Sequence, residues 1–257
     1  MRTVDATRYV TPLREGGSLP AVVEADDDGM YVMKFRGAGQ GAKALVAELI
    51  AGEFARLLAL PIPELVLMTL DPGLAATEPD PEIQHLIRAS DGCNVGLDYL
   101  PGALNFDPAV DPPDADLASR IVWFDAFVCN VDRTARNTNL LVWHRALWLI
   151  DHGAALYFHH DWSRAPAMAA TPFARIADHV LLPFASRLAE ADAALVTRIT
   201  EADIRRIVDV VPDLWLDDPA FDGPAANRQG YVDFFCARLR QRAVFVEEAQ
   251  RAHAGRL

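Results

Sequence analysis

The stretch that most constrains this chain is a polar octapeptide, Asn130-Val131-Asp132-Arg133-Thr134-Ala135-Arg136-Asn137, set between apolar segments. Ahead of it, Leu117 to Cys129 reads as a strongly apolar helix. Behind it come two short apolar runs, Leu140 to Trp143 and Ala146 to Ile150, separated only by His144 and Arg145. That pattern predicts a small buried hairpin, which ends on Asp151-His152-Gly153. A polar loop with both ends tied to buried elements presents its side chains in a fixed geometry, and such loops are where chemistry concentrates.

The first part of the chain reads as strands and turns. Ala21 to Ala25 and Met30 to Phe35 are β-rich and flank Asp26-Asp27-Asp28-Gly29, a hairpin signal. Ala42 to Leu60 carries Leu45, Leu49, Phe54, Leu57 and Leu58 at helical spacing and is expected as an amphipathic helix that Pro61 and Pro63 terminate. Glu64 to Leu70, Ile83 to Ile87 and Asn94 to Leu100 are expected as further extended segments. The run Phe106 to Asp116, rich in Pro and Asp, reads as a surface linker. The lobe boundary is set just before it, giving a β-rich lobe of residues 1–104 and a mainly helical lobe of 105–257, the latter helical by composition from Ala174 onward.

The residues around the octapeptide suit one chemistry. Phosphoryl transfer from a nucleotide asks for an acid that orients a hydroxyl, hard oxygen ligands for Mg²⁺ and a cation on the phosphates. Asp132 supplies the acid, Asn137 and Asp151 an amide carbonyl and a carboxylate, and Lys34, on a strand of the other lobe, the cation. Lys34 in turn needs a carboxylate to fix it, and the following helix offers Glu48 and Glu53. Each of these is ordinary alone, since Asp and Asn also form turns and caps; their order and spacing together are not.

In this order the residues resemble the protein-kinase-like fold, and Asn130-Val131-Asp132-Arg133 with Asn137 looks closest to the HipA-like kinases, whose catalytic loop is of phosphoinositide-kinase type. The resemblance covers roughly residues 10–160, from Leu13-Arg14-Glu15-Gly16-Gly17-Ser18-Leu19-Pro20 through Val32-Met33-Lys34-Phe35 and Ala47-Glu48-Leu49 to Leu149-Ile150-Asp151-His152-Gly153. It implies an α+β, two-lobed fold, with ATP and Mg²⁺ between the lobes. It implies Asp132 as catalytic base, Lys34 on the α and β phosphates, and Asn137 and Asp151 on the metal. Gly16, Gly17 and Ser18 would cover the phosphates, Glu48 would pair with Lys34, and the main chain of Asp98, Tyr99 and Leu100 would hold adenine. The acceptor it implies is a hydroxyl, in the family's manner that of a Ser or Thr of a protein. A small-molecule kinase and a non-catalytic nucleotide-binding pseudokinase are the rival readings. Thr134 stands where ordinary protein kinases carry a lysine, so Arg133 or Arg136 would have to meet transition-state charge, and His152 replaces the usual Phe. Full-length HipA toxins have an additional N-terminal domain and a longer C-terminal lobe, so a toxin role is not carried over.

Composition excludes other classes. With 36 acidic against 24 basic residues and a formal charge of −12, the chain would repel nucleic acid unless its cations clustered, and no cluster is evident. No apolar run approaches the length of a membrane span and the N-terminus has no signal-peptide character, so a cytoplasmic protein is expected. Three scattered cysteines, Cys93, Cys129 and Cys236, read as core residues rather than disulfides or a zinc site. Gly37-Ala38-Gly39-Gln40-Gly41-Ala42-Lys43 lacks the Walker A pattern and reads as a strand-to-helix turn. His152, His159, His160 and Asp161 are not expected to bind zinc, Trp143, Trp148 and Trp162 are expected in packing, and Arg205, Arg206, Arg238, Arg240 and Arg242 on solvated helix faces.

Overall fold

The computed structural model describes residues 1–13, 19–39 and 41–256. Five strands close a barrel: β1 (Thr3–Pro12), β2 (Ala21–Ala25), β3 (Met30–Lys34), β4 (Leu65–Leu70) and β5 (Gly92–Asp98), in the order β1-β2-β3-β5-β4. The closing seam is parallel, with Thr3, Val4 and Asp5 of β1 opposite Leu67, Met68 and Thr69 of β4. The other pairings are antiparallel. Strand β1 is not evident in the sequence because its outward positions are exposed and it offers only one fully buried side chain, Val4.

Helix α1 (Gly41–Leu57) lies between β3 and β4 in sequence. Its residues 45–55 are all buried, because the barrel covers one side and the helical part of the chain the other. The expected amphipathic helix is therefore a buried one. It stops where Ala59 turns left-handed (φ 53°), ahead of Pro61. Ile83 to Ile87, expected as extended, is instead part of helix α2 (Pro81–Ala89). The Asp80 side chain accepts from the Glu82 N–H and Pro81 opens the first turn, both helix-start signals. Ile83, Leu86 and Ile87 then share one face and pack with Val23, Met33 and Met68 of the barrel interior.

Past the barrel, β6 (Leu104–Asn105), β7 (Leu140–Trp143) and β8 (Ala146–Leu149) form a small sheet. The β7–β8 turn uses His144 and Arg145, both left-handed (φ 50° and 64°), the twist a two-residue hairpin requires. Helix α3 (Ala115–Phe127) is capped by Asp114, which accepts from the Asp116 and Leu117 N–H groups. The preceding 106–116 run is exposed for the most part, but Phe106 is buried in the main core. Helices α4 (Ala165–Ala169), α5 (Leu188–Val196), α6 (Glu201–Val208), α7 (Pro224–Arg240) and α8 (Ala243–Ala254), with short 3-10 turns between them, complete the helical part. One continuous apolar core joins α1 to α3, the β7–β8 hairpin and α7 and α8.

Two residue classes depart from expectation. Arg238 is 1% exposed rather than solvated, its guanidinium donating to the carbonyls of Ala126 and Thr171. Of the cysteines, Cys129 is buried while Cys93 and Cys236 are partly exposed, and all three thiols are free. No helix among the described residues is long and apolar enough to cross a membrane.

Candidate active site

Lys34 sits at the end of β3, opposite Val95 of β5, and its side chain turns toward α1. Its ammonium pairs with the Asp151 carboxylate and lies 3.1 Å from Glu48 Oε2. Glu48 is fully buried, and the same Oε2 accepts from the His152 backbone N–H at 2.9 Å. One carboxylate thus ties the barrel lysine, helix α1 and the segment after β8. Burial alone would raise the Glu48 carboxyl, but the Lys34 ammonium and His152 outweigh it and hold the group well below the usual carboxylate range. Burial opposes the Lys34 charge too, and Glu48 and Asp151 more than restore it, so the lysine stays protonated. The alternative partner, Glu53, is committed elsewhere, to Arg56 at 2.5 and 2.9 Å.

Asp151 is left-handed (φ 55°), a conformation Asp tolerates better than most residues. That backbone turn brings its carboxylate to Lys34 while the next N–H reaches Glu48. The His152 ring is buried, edge-on to Phe124 at 5.7 Å, with Nδ1 3.4 Å from Glu48 Oε1.

Lys34 and Asp151 face a cavity of about 480 Å³ whose other walls include Val32, Leu97, Leu141 and Ile150. Asp98, Tyr99 and Leu100 also line it. The N–H groups of Asp98 and Tyr99 donate to the carbonyls of Glu64 and Met30. Leu100 N–H has no acceptor among the described residues. The expected contributions of Gly16, Gly17 and Ser18 lie outside the described residues.

Asp132 and Asn137 are together but line a different space. Asn137 Nδ2 donates to Asp132 Oδ2 at 2.7 Å and Asn139 Nδ2 to the same oxygen at 3.2 Å. Both Asp132 and Asn137 open on a groove of about 920 Å³ between this loop and residues 175–184. Among the described residues no hydrogen bond or ion pair links Asp132 or Asn137 to Lys34 or Asp151, and the two pairs line different cavities.

The loop's support comes from a residue the sequence reading missed. Asp125, fully buried on α3, accepts from Asn130 Nδ2 at 2.9 Å and Arg133 Nε at 2.6 Å, and pairs with His179 Nε2 at 2.8 Å. Burial would raise its carboxyl, but Arg133 and His179 outweigh that and hold it well below the usual range. Arg133 is buried as well; its guanidinium also donates to the carbonyls of Asn139 and Ile150. It therefore clamps the loop onto the hairpin and is not available for transition-state charge, leaving Arg136, which is exposed on the groove. A lone aspartate inside Ile121-Val122-Trp123-Phe124-Asp125-Ala126-Phe127 was itself the signal, since a buried carboxylate demands a partner.

Lys43 was likewise passed over as part of a glycine-rich turn. Its Nζ donates to the His159 carbonyl at 2.7 Å and lies 2.6 Å from Asp218 Oδ2, which pins the start of α1 to the helical part five residues before Glu48. His159 spends its ring on Tyr231, with Nδ1 3.1 Å from the hydroxyl. Among the described residues no three His, Cys, Asp or Glu side chains cluster as a metal cage.

A barrel whose strand lysine meets a helix glutamate, joined to a helical part that returns an aspartate to the same lysine, is the two-lobed protein-kinase-like fold. Among solved structures the chain is similar to the Helicobacter pylori proinflammatory kinase CtkA, at 12% identity and a TM-score of 0.57 over 99% of both chains. It is similar at lower TM-scores, 0.47 and 0.45, to the Golgi casein kinase with Mn/ADP bound and to that kinase alone, at 12% identity each. These cover 93% and 94% of this chain and 74% and 73% of theirs. No curated protein matches. The HipA-like kinase model matches residues 7–237, and the chain belongs to that family.

Proposed function

We propose that this HipA-like kinase transfers the γ-phosphoryl group of ATP, with Mg²⁺, to the hydroxyl of a Ser or Thr in a protein. The observation that carries the reading is the Lys34 ammonium held between Glu48 of α1 and Asp151 on a cavity that also presents the Leu100 N–H. Adenine would lie among Val32, Leu97, Leu141 and Ile150, with Leu100 N–H on its ring edge. Residues 1–104 and 105–257 act as the two lobes about this point. Lys34 would hold the α and β phosphates, and the loop containing Gly16, Gly17 and Ser18 would cover them.

Asn137 and Asp151 line separate spaces, yet each offers the hard oxygen Mg²⁺ prefers, an amide carbonyl and a carboxylate, and each would hold the ion from its own side while water and phosphate oxygens complete the shell. Bound there, the metal would neutralise charge on the transferred phosphoryl group. Asp132 takes the acceptor's hydroxyl proton as the acceptor oxygen bonds to Pγ and the bond from Pγ to the β,γ-bridging oxygen breaks, releasing ADP. Asn137 and Asn139 fix the Asp132 carboxylate by donating to one oxygen, which leaves the other for the acceptor. Arg136 meets developing negative charge from the groove side. The breadth of that groove favours a polypeptide over a small metabolite as acceptor. Three free thiols and ATP as donor support a cytoplasmic setting.

Transfer of label from γ-labelled ATP, with the protein alone and with lysate, tests the reading. Asp132→Asn is expected to bind ATP as wild type does and to lose label transfer by about a hundredfold or more. Transfer by that variant at the wild-type rate would remove Asp132 from the chemistry.

A further inference from the structure

The groove beside Asp132 differs in charge from the rest of this acidic molecule. Three arginines line it: Arg136 from the loop, Arg175 from the 3-10 turn Ala174–Asp178, and Arg256 beyond α8. Two carboxylates face them, Asp132 and Asp178. Elsewhere the chain's excess of acids occupies many of its guanidinium groups, as in the pairs of Arg2 with Asp27 and Glu64, Arg8 with Glu24, and Arg251 with Glu248. In the groove they are left open. Arg136 has no hydrogen-bond or ion-pair partner among the described residues, and Arg175 meets Asp178 only at 4.0 Å with both side chains more than 60% exposed. Arg256 donates to the Ala177 carbonyl, which fixes its guanidinium on the turn that carries Arg175 and consumes no charge.

Guanidinium groups that meet little counter-charge among the described residues, one of them anchored, select for anions on the route to the acceptor acid, because each forms charge-assisted, often bidentate hydrogen bonds with carboxylate or phosphate. Resting on the proposed phosphotransfer, we infer that the acceptor is a Ser or Thr flanked by acidic side chains, with Arg175 and Arg256 holding the flanking carboxylates. The net charge of −12 works against such a preference. Long-range electrostatics of the whole molecule repel an acidic peptide and attract a basic one, so a preference for the acidic peptide has to arise locally, in this groove.

The test uses three Ser-containing peptides of equal length, with Glu-rich, Ala/Gln-rich and Lys-rich flanks, read by two measurements. The first is equilibrium binding of fluorescent peptide to the full chain, which needs no turnover; the second is phosphate transfer. The Glu-flanked peptide is expected to bind at least tenfold tighter than the neutral one, and the advantage is expected to vanish in Arg175→Glu/Arg256→Glu and to survive in Arg175→Lys/Arg256→Lys. The lysine variant controls for folding. Equal or weaker binding of the acidic peptide, or a preference unchanged in the Glu variant, would overturn the inference. Tight, groove-dependent binding without transfer to any peptide would uphold it and count instead against the catalytic reading.

Discussion

Two buried carboxylates organise this molecule, and they do so differently. Glu48 joins parts that are separate in the fold: it holds a barrel lysine on one side and the backbone after β8 on the other. Asp125 works within the helical part, where it binds Asn130 and Arg133 of one loop and His179 of the segment beyond. Lys34 keeps a second anion, Asp151, if Glu48 is lost. Among the described residues Arg133 has no second carboxylate, only carbonyls. The first carboxylate therefore joins the barrel to the helical part, and the second holds the 130–137 loop in place.

Removing the charge at each position sharpens that contrast. Asp125→Ala leaves a fully buried guanidinium without its counter-charge and is expected to cost about 3–5 kcal/mol of stability, read from urea unfolding. Glu48→Gln is expected to lose less stability than that, while turnover falls about a hundredfold because Lys34 and α1 are no longer held in register. Equal stability losses for the two variants would show that Lys34 draws nothing from Asp151.

Acid reports on the second network in a set direction. His179 donates from Nε2 to Asp125 while Nδ1 accepts from the Leu181 N–H at 3.0 Å, so the neutral ring is the one that fits. Burial, with Arg133 and Arg256 nearby, lowers its pKa below the ordinary 6.5 despite Asp125. A group whose folded pKa is depressed contributes stability above its unfolded pKa and loses it as pH falls. Stability is thus expected to decline as pH drops below about 6.5, with His159, depressed by burial, adding to the same limb. A second decline should follow below about 4 as the carboxyls of Asp125 and Glu48 begin to protonate in the unfolded chain. His179→Asn should shrink the first limb and leave most of the second, which Arg133 and Glu48 still sustain, measured by thermal unfolding across pH.

The contrast also explains what could be read from residues alone. Lys34, Asp132, Asn137 and Asp151 stood out by their order and spacing, and the structure brings them together only as two pairs, Lys34 with Asp151 and Asp132 with Asn137. The β2–β3 hairpin, α3 and the β7–β8 hairpin were legible from turn residues and apolar periodicity. Strand β1 was not, because nearly all of its side chains are exposed or half-buried and its partner β4 lies far along the chain. Residues 83–87 were misread because a short apolar run fits either period until the Asp80-Pro81 start signal is weighed. Glu48 and Glu53 could not be separated by spacing, since both are buried on α1 and only their partners, Lys34 for the first and Arg56 for the second, tell them apart. Asp125 and Arg238 escaped because tertiary partners from distant segments, not local pattern, decide whether a charge goes inside.

Lys34 and Asp151 are proposed to meet on one magnesium nucleotide. Calorimetric titration of ATP into the wild-type chain, with Mg²⁺ and then with excess EDTA, addresses it directly. Binding is expected to strengthen with Mg²⁺, to weaken under both conditions in Lys34→Met, and to become insensitive to Mg²⁺ in Asp151→Asn. ATP binding of equal strength in all three proteins, with or without the metal, would contradict it.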